Sequence, residues 1–108
     1  MSYDVSFRRC FSDTEGQFYL AETFNMTSNV GPMYRVAGLE IGNLDKMLTK
    51  NVIAKVQPAY DYMVAHSHEM RTLEPANGWG KYEDALGFLQ EILVTCLAHP
   101  ECFVEVSV

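Results

Sequence analysis

The sequence predicts an α+β fold in which a small antiparallel sheet, formed by an N-terminal hairpin and a C-terminal strand, carries two main helices on one face. Apolar and polar residues alternate at both ends of the chain, which is the period of half-buried strands. The middle of the chain shows helical spacing, and strands and helices segregated in this way favour an antiparallel sheet. Because the 108 residues contain no repeat or linker, we expect one domain over residues 1–108, in the order β-β-(α)-α-α-β.

The first two strands are expected to form the hairpin. The first strand alternates strictly and places three apolar residues on one side, namely Tyr3, Val5 and Phe7. Residues 12–16, with the sequence Ser-Asp-Thr-Glu-Gly, have the composition of a turn. The alternation then resumes in a second strand, with apolar residues at Phe18, Leu20 and Phe24.

A short helix is predicted after the hairpin. Ser28 or Asn29 can cap its N-terminus, because both side chains accept hydrogen bonds from free backbone N–H groups. Pro32 fits the first turn, and Gly38 can end the helix in a left-handed conformation. Residues 39–48 show no pattern that predicts an element.

A longer helical pattern begins at about Asn51. Its apolar residues fall on one face and comprise Val52, Ile53, Val56, Tyr60, Met63 and Val64. Pro58 lies inside the pattern and is expected to kink the helix or to split it into two shorter ones, because proline has no N–H to donate. The helical segment should end before Pro75.

The clearest helical pattern follows a turn at residues 77–80, Asn-Gly-Trp-Gly. Its apolar positions are Tyr82, Ala85, Leu86, Leu89, Ile92, Leu93, Cys96 and Leu97. Its outward positions are Lys81, Asp84, Glu91 and Thr95. Pro100 closes the helix, and a last strand follows with apolar residues at Cys102, Val104 and Val106.

The charge of the chain restricts the class of partner. The net charge is −6, and residues 75–108 alone hold five acidic residues and one lysine, a net of −4. Phosphate backbones require the opposite sign, so direct binding of DNA or RNA is disfavoured. An acidic surface favours basic protein partners or mimicry of nucleic acid.

The sequence also indicates a subcellular location. It shows no secretory leader and no run of about 20 apolar residues that a membrane helix needs, so we expect a cytosolic protein without a membrane partner. The three cysteines, Cys10, Cys96 and Cys102, fit no disulfide framework. We expect them to be buried free thiols in a reducing compartment.

No motif for catalysis, a metal or a cofactor is present. His66 and His68 are two residues apart, whereas two metal ligands on one helix face lie three or four apart. There is no nucleophile motif, and the adjacent acids Glu83 and Asp84 are typical of a solvated first helical turn. We therefore expect a non-enzymatic protein with no catalytic residue, no metal and no cofactor.

Two segments are nevertheless rich in recognition chemistry. One runs from Asn25 to Arg35, and the other, residues 74–82, holds the single tryptophan. If they share one surface, the candidate binding residues are Asn25, Thr27, Asn29, Tyr34, Arg35, Asn77, Trp79 and Tyr82, beside an acidic face of Glu83, Asp84 and Glu91. In the alternative, Trp79 covers the core between helices and the polar run only caps a helix.

The same segments carry a resemblance. Residues 27–37 read Thr-Ser-Asn-Val-Gly-Pro-Met-Tyr-Arg-Val-Ala, and residues 77–83 read Asn-Gly-Trp-Gly-Lys-Tyr-Glu. In these stretches, and in its N-terminal hairpin, the chain resembles a set of small uncharacterised proteins from phages, prophages and bacterial genomes. The resemblance implies one domain and a mobile-element origin, and it implies no particular activity.

Three hypotheses about function follow, in order of preference. In the first, the chain is an interaction module that binds and modulates a host protein through its acidic helix and the Trp79 loop. In the second, it binds or sequesters a small nucleotide-like ligand whose phosphate is held by Arg35. In the third, it is a structural subunit that forms a homo-oligomer through an unpaired edge strand, with the C-terminal strand as the candidate.

Overall fold

The computed structural model describes residues 2–9, 18–100 and 102–108, with the backbone alone for residues 9 and 18–22, and it confirms the α+β fold with a small antiparallel sheet. The sheet has the order β2-β1-β3, where β1 is Ser2–Arg9, β2 is Phe18–Thr27 and β3 is Cys102–Ser107. Both neighbours of β1 run antiparallel to it. The pairing of the first two strands is therefore as predicted, while the turn predicted at residues 12–16 lies outside the described residues, as does Cys10.

One face of the sheet carries the core. Tyr3, Val5 and Phe7 of β1 are buried, and they share a cluster with Val104 of β3 and with the apolar residues of the helices. The alternate residues of β1 are only partly covered. The helices thus pack on the face that the alternation of the sequence indicated.

The short helix after the hairpin has two parts, a 3-10 helix over Ser28–Val30 and helix α1 over Gly31–Val36. The cap of the first part differs from the prediction. Thr27, rather than Ser28 or Asn29, is the capping residue, and its hydroxyl accepts a hydrogen bond from the Asn29 N–H at 3.4 Å. The reason is that the chain turns directly out of β2 into the helix, which leaves no residue between strand and cap.

Gly38 ends α1 as predicted. Its φ of +85° lies in the left-handed region, which glycine adopts without steric cost. The N–H of Gly38 donates to Arg35, and the N–H of Leu39 donates to Tyr34 at 2.8 Å. These two bonds are the pattern with which a glycine satisfies the last carbonyls of a helix.

Helix α2 runs without interruption over Thr49–Ala65, so the prediction that Pro58 would split this segment is wrong. Pro58 cannot donate to the carbonyl of Ala54, but both residues lie on the exposed side, where water can solvate that carbonyl. The opposite face holds the helix in place by burying Val52, Val56, Ala59 and Met63. The break occurs instead at His66, and helix α3 follows over Ser67–Arg71.

Helix α4, over Tyr82–Ala98, is the long amphipathic helix that the sequence indicated. Its buried face is shifted slightly from the predicted one. Phe88 and Thr95 are buried, whereas Leu97 is 66% exposed. Val64 of α2, which was expected on the core face, is 49% exposed as well.

The outer edge of β3 is covered by the segment 45–48. The N–H of Val104 donates to Met47 at 2.8 Å, and the carbonyl of Val104 accepts from Lys46 at 2.7 Å. The Asp45 carboxylate accepts from the N–H of Val106 at 2.9 Å. This segment follows a 3-10 helix over Ile41–Leu44, in the part of the chain for which the sequence predicted no element.

The core contains the two described cysteines as free thiols, in agreement with the sequence. Burial and the neighbouring Cys102 raise the pKa of the Cys96 thiol to about 12, so the group is neutral at physiological pH. None of the helices in the described residues is long and apolar enough to cross a lipid bilayer.

Candidate functional site

The two recognition segments meet in the structure. The side-chain amide of Asn29 donates to the backbone carbonyl of Trp79 at 3.3 Å. At the next residue, Gly80, an added Cβ would stand only 2.8 Å from a methyl carbon of Val30 and 3.1 Å from that of Thr27. Only glycine permits this approach, so the backbone of residues 79–80 rests directly on the end of β2 and the helix that follows it.

The loop before α4 is held by its own polar side chains. Asn77 accepts a hydrogen bond from the N–H of Trp79 at 2.9 Å, and the Glu74 carboxylate accepts one from the N–H of Tyr82 at 2.7 Å. Gly78 and Gly80 both have positive φ, at +77° and +113°. The turn presents the indole of Trp79 to solvent, with 73% of the residue exposed. The interpretation in which Trp79 covers the core is therefore wrong.

Two of the candidate binding residues are part of the core. Tyr34 is 1% exposed and its hydroxyl donates to the carbonyl of Ala85 at 2.8 Å, while burial raises the pKa of its phenol. Tyr82 is 5% exposed and its hydroxyl donates to the carbonyl of Met63 at 2.9 Å. Both tyrosines tie α4 to its neighbours, so neither offers a free ring to a ligand. This corrects the expectation that they are surface residues.

Arg35 lies beside Glu40 and Gly31. Its guanidinium is exposed and faces Glu40 at 3.8 Å, and it flanks Gly31 beside the hydroxyl of Tyr3. A surface pair of this length contributes little to stability, but it leaves Arg35 partly neutralised. Because Tyr34 is buried, its ring is not available beside Arg35 as a platform for a nucleotide-like ligand.

A groove between β2 and α4 collects most of the other candidates. It has a volume of about 380 Å³ and is lined on the β2 side by Asn25, Met26 and Thr27. Gly80 closes one end, next to the exposed Trp79. The α4 side is formed by Glu83, Asp84, Gly87, Phe88 and Glu91. The acidic face and the polar end of β2, which the sequence treated as separate features, are thus the two walls of one groove, named here the α4–β2 groove.

The three carboxylates of the groove are not equivalent. Glu83 pairs with Arg71, and its pKa is lowered by the hydrogen bond from its own backbone N–H and by the one from Arg71. The guanidinium of Arg71 also lies over the Tyr82 ring, 4.9 Å from its centre. Among the described residues, Asp84 and Glu91 have no ion-pair or hydrogen-bond partner. These two carboxylates are the charges that the groove leaves for an incoming group.

Gly87 keeps the middle of the α4 wall open. It lies one helical turn from each of the two free acids, and an added Cβ would meet nothing within 4 Å. Glycine inside a helix costs about 1 kcal/mol relative to alanine, and nothing in the packing requires it here. An isolated glycine in a helical pattern was the one signal in the sequence that could have identified this wall.

The backbone of β2 forms the other wall with outward groups that no described residue pairs. Val104 directs its N–H and carbonyl away from β1, so β3 hydrogen-bonds to β1 through the residues on either side of Val104. The residues of β1 that face β2 are therefore the other set, which includes Val5. The outward residues of β2 are then Thr23 and Asn25. Within the described part of the chain, no backbone group on the outer side of β2 hydrogen-bonds to either of them. The amide side chain of Asn25 is held on the solvent face by Asp4 at 2.6 Å.

Neither a search for metal-binding clusters nor comparison with known proteins indicates a further site among the described residues. Within residues 2–9, 18–100 and 102–108, no three His, Cys, Asp or Glu side chains are grouped so that they could hold a metal ion. His66 stacks on the Tyr62 ring and its Nδ1 bonds to the Tyr62 carbonyl at 2.9 Å. Comparison of the chain with protein-family models, with curated proteins and with solved structures finds no match.

Proposed function

We propose that this chain is a non-catalytic binding module that holds a basic segment of a partner protein in the α4–β2 groove. The observation that carries the proposal is the pairing of its two walls. Asp84 and Glu91 present free carboxylates on one side, and β2 presents free backbone groups on the other. Trp79, at the Gly80 end, adds an exposed aromatic side chain of the kind enriched at binding hot spots.

The overall charge supports the same partner class. The net charge of −6 attracts a basic protein at long range, and the two free carboxylates fix where it docks. The resemblance to phage and prophage proteins extends the proposal to a host protein, in the cytosol, whose activity is modulated by binding. A component of host defence is one such target.

The alternatives have less support. A nucleotide-like ligand needs a cation and an aromatic platform, but Arg35 faces Glu40 and Tyr34 is buried. A homo-oligomer through the C-terminal strand needs a free β3 edge, and Met47 and Asp45 already cover it.

The test is a capture experiment with a matched charge control. Tagged wild-type protein, the groove variant Asp84→Lys/Glu91→Lys and the control variant Asp61→Lys/Glu69→Lys are each exposed to host lysate. Both variants raise the net charge by the same amount, and Asp61 and Glu69 are exposed residues of α2 and α3. We expect the groove variant to lose the partner and the control to keep it. If both variants, folded by circular dichroism, capture the partner equally, the groove is not its site.

A further inference from the structure

We infer that the partner segment binds as an added β-strand on the edge of β2, with basic side chains at alternate positions turned toward α4. The inference rests on the proposed function, because it specifies how the same groove is filled. An unpaired strand edge is a template for an extended peptide, whose main chain supplies affinity while alternate side chains supply specificity.

The register of the sheet defines the template. Thr23 pairs with Ser6 and Asn25 pairs with Asp4, both in the positions of the ladder that do not bond across to β1. Their N–H and carbonyl groups therefore point away from β1 at the edge of the sheet, and Asn25 also lines the groove. An added strand would bond to Thr23 and Asn25 without breaking any bond of the described residues.

The residues of the α4 wall indicate which side chains the added strand would carry. Side chains of an added strand alternate between the two faces of the sheet, so every second one points into the helix layer. On that side it would meet Asp84 and Glu91, which are separated by about 10 Å along the helix axis. Residues two positions apart in a strand span about 7 Å, and lysine or arginine side chains are long enough to make up the difference. Gly87 leaves room between the two acids for the stem of such a side chain.

A second copy of the chain fits this edge less well. Pairing of β2 with β2 across a two-fold axis would continue the sheet and set the two α4 walls side by side. The free carboxylates of Asp84 and Glu91 would then face their own copies, and like charges at such a contact are unfavourable. The charge of the groove therefore selects a basic strand and opposes self-pairing.

The experiment uses ¹⁵N-labelled protein and a synthetic peptide as the probe. The peptide is acetylated and amidated, with the sequence Lys-Val-Lys-Thr-Lys-Val-Lys-Thr-Lys, and its control carries glutamate in place of lysine. We expect the lysine peptide to slow hydrogen exchange at the Thr23 and Asn25 amides by about tenfold or more, and the glutamate peptide to have no effect.

Protein variants separate the contribution of the β2 backbone from that of the space in the groove. Thr23→Pro removes one outward N–H, and we expect it to weaken peptide binding about tenfold, while Thr23→Ala keeps the N–H and binds within about twofold of wild type. Gly87→Gln fills the groove and should also weaken binding, whereas Gly87→Ala should have little effect.

Each outcome decides a different point. Chemical-shift changes at Asp84, Gly87 and Glu91 with unchanged exchange at Thr23 and Asn25 overturn strand addition but support a groove that binds basic segments. No shift anywhere at about 1 mM peptide also overturns strand addition, and the capture experiment then tests the proposed function alone. Protected Thr23 and Asn25 amides in a dimer of the free protein would show that a second copy occupies the edge.

Discussion

The two edges of the sheet differ in whether their outward backbone groups are hydrogen-bonded. On β3, three outward N–H groups have acceptors, because Cys102 donates to His99, Val104 to Met47 and Val106 to the Asp45 carboxylate. On β2, the outward groups of Thr23 and Asn25 have no backbone partner among the described residues. Proteins usually cover or charge their edge strands, since an open edge pairs with other chains.

The β3 edge contributes to stability, whereas the β2 edge is the one that we propose for binding. The cover of β3 anchors the last strand to the segment before α2, and the rest of the strand contributes to the core. The edge of β2 lies instead beside the acids of α4, of which Asp84 and Glu91 have no ion-pair partner among the described residues. Such inward charges discourage indiscriminate pairing and still admit a strand of the opposite charge. We therefore propose that the β3 edge serves stability and that the β2 edge serves binding.

Proline substitutions should give the largest contrast between the edges. We expect Val104→Pro to lower the free energy of unfolding by about 3 kcal/mol or more, because it removes a buried side chain and the bond to Met47. Val104→Ala isolates the side-chain part of this loss. Thr23→Pro, on the open edge, should cost less than about 1 kcal/mol. Urea denaturation measures all three, and equal losses at the two edges would contradict the comparison.

The glycines at the end of the groove give the next largest effect. Gly80→Ala combines a φ of +113° with a contact of 2.8 Å to Val30, and we expect it to destabilise the protein by about 1–3 kcal/mol. Gly78→Ala serves as the control, since its φ is also positive but its Cβ meets nothing within 4 Å. Thermal unfolding should rank Gly80→Ala below Gly78→Ala. The reverse order would mean that the loop does not rest on β2.

The cover of β3 can be weakened at one atom. Asp45→Ala removes the acceptor of the Val106 N–H and should cost about 1 kcal/mol. Asp45→Asn keeps an oxygen at the same place, so we expect a smaller loss. Chemical denaturation distinguishes the two variants. If Asp45→Ala is neutral, this end of the cover does not contribute to stability.

The smallest effect is a gain. Gly87→Ala should raise the free energy of unfolding by about 0.5–1 kcal/mol, because alanine favours the helix and its methyl group meets nothing within 4 Å. A higher melting temperature with unchanged peptide binding would show that neither folding nor binding requires glycine here, and that the room beside Asp84 and Glu91 tolerates a methyl group. A loss of stability would show that the α4 wall is closed.

Much of the fold could be predicted because its elements are marked by local periodicity. The alternation around Val5 and the helical spacing from Tyr82 each bury one face, and both were identified. Pro58 was misjudged because the effect of a proline depends on whether the freed carbonyl faces water, which the local sequence does not show. The segment over the β3 edge was missed because its bonds to Val104 join residues far apart in the chain.

The candidate site, like the fold, could be predicted from the sequence only in part. Residue chemistry drew attention to Trp79, which is exposed, and to the acids of α4, which line the groove. It could not tell that Tyr34 is buried, since a tyrosine with a hydrogen-bonded hydroxyl is as suitable in a core as on a surface. For Tyr82, the helical spacing placed the ring on the buried face, and the structure agrees with that spacing rather than with a surface role. That β2 is an edge strand depends on the strand order β2-β1-β3, which the local sequence around Thr23 does not indicate.

Amide hydrogen exchange in the free protein tests the contrast between the edges most directly. We predict that the Thr23 and Asn25 amides exchange at close to the rates of an unstructured chain, while the Val104 and Val106 amides are protected by about a hundredfold or more. That result would leave β2 available to a partner. Protection of Thr23 and Asn25 as strong as that of Val104 would show that the β2 edge is already occupied, and it would contradict the assignment of this edge to binding.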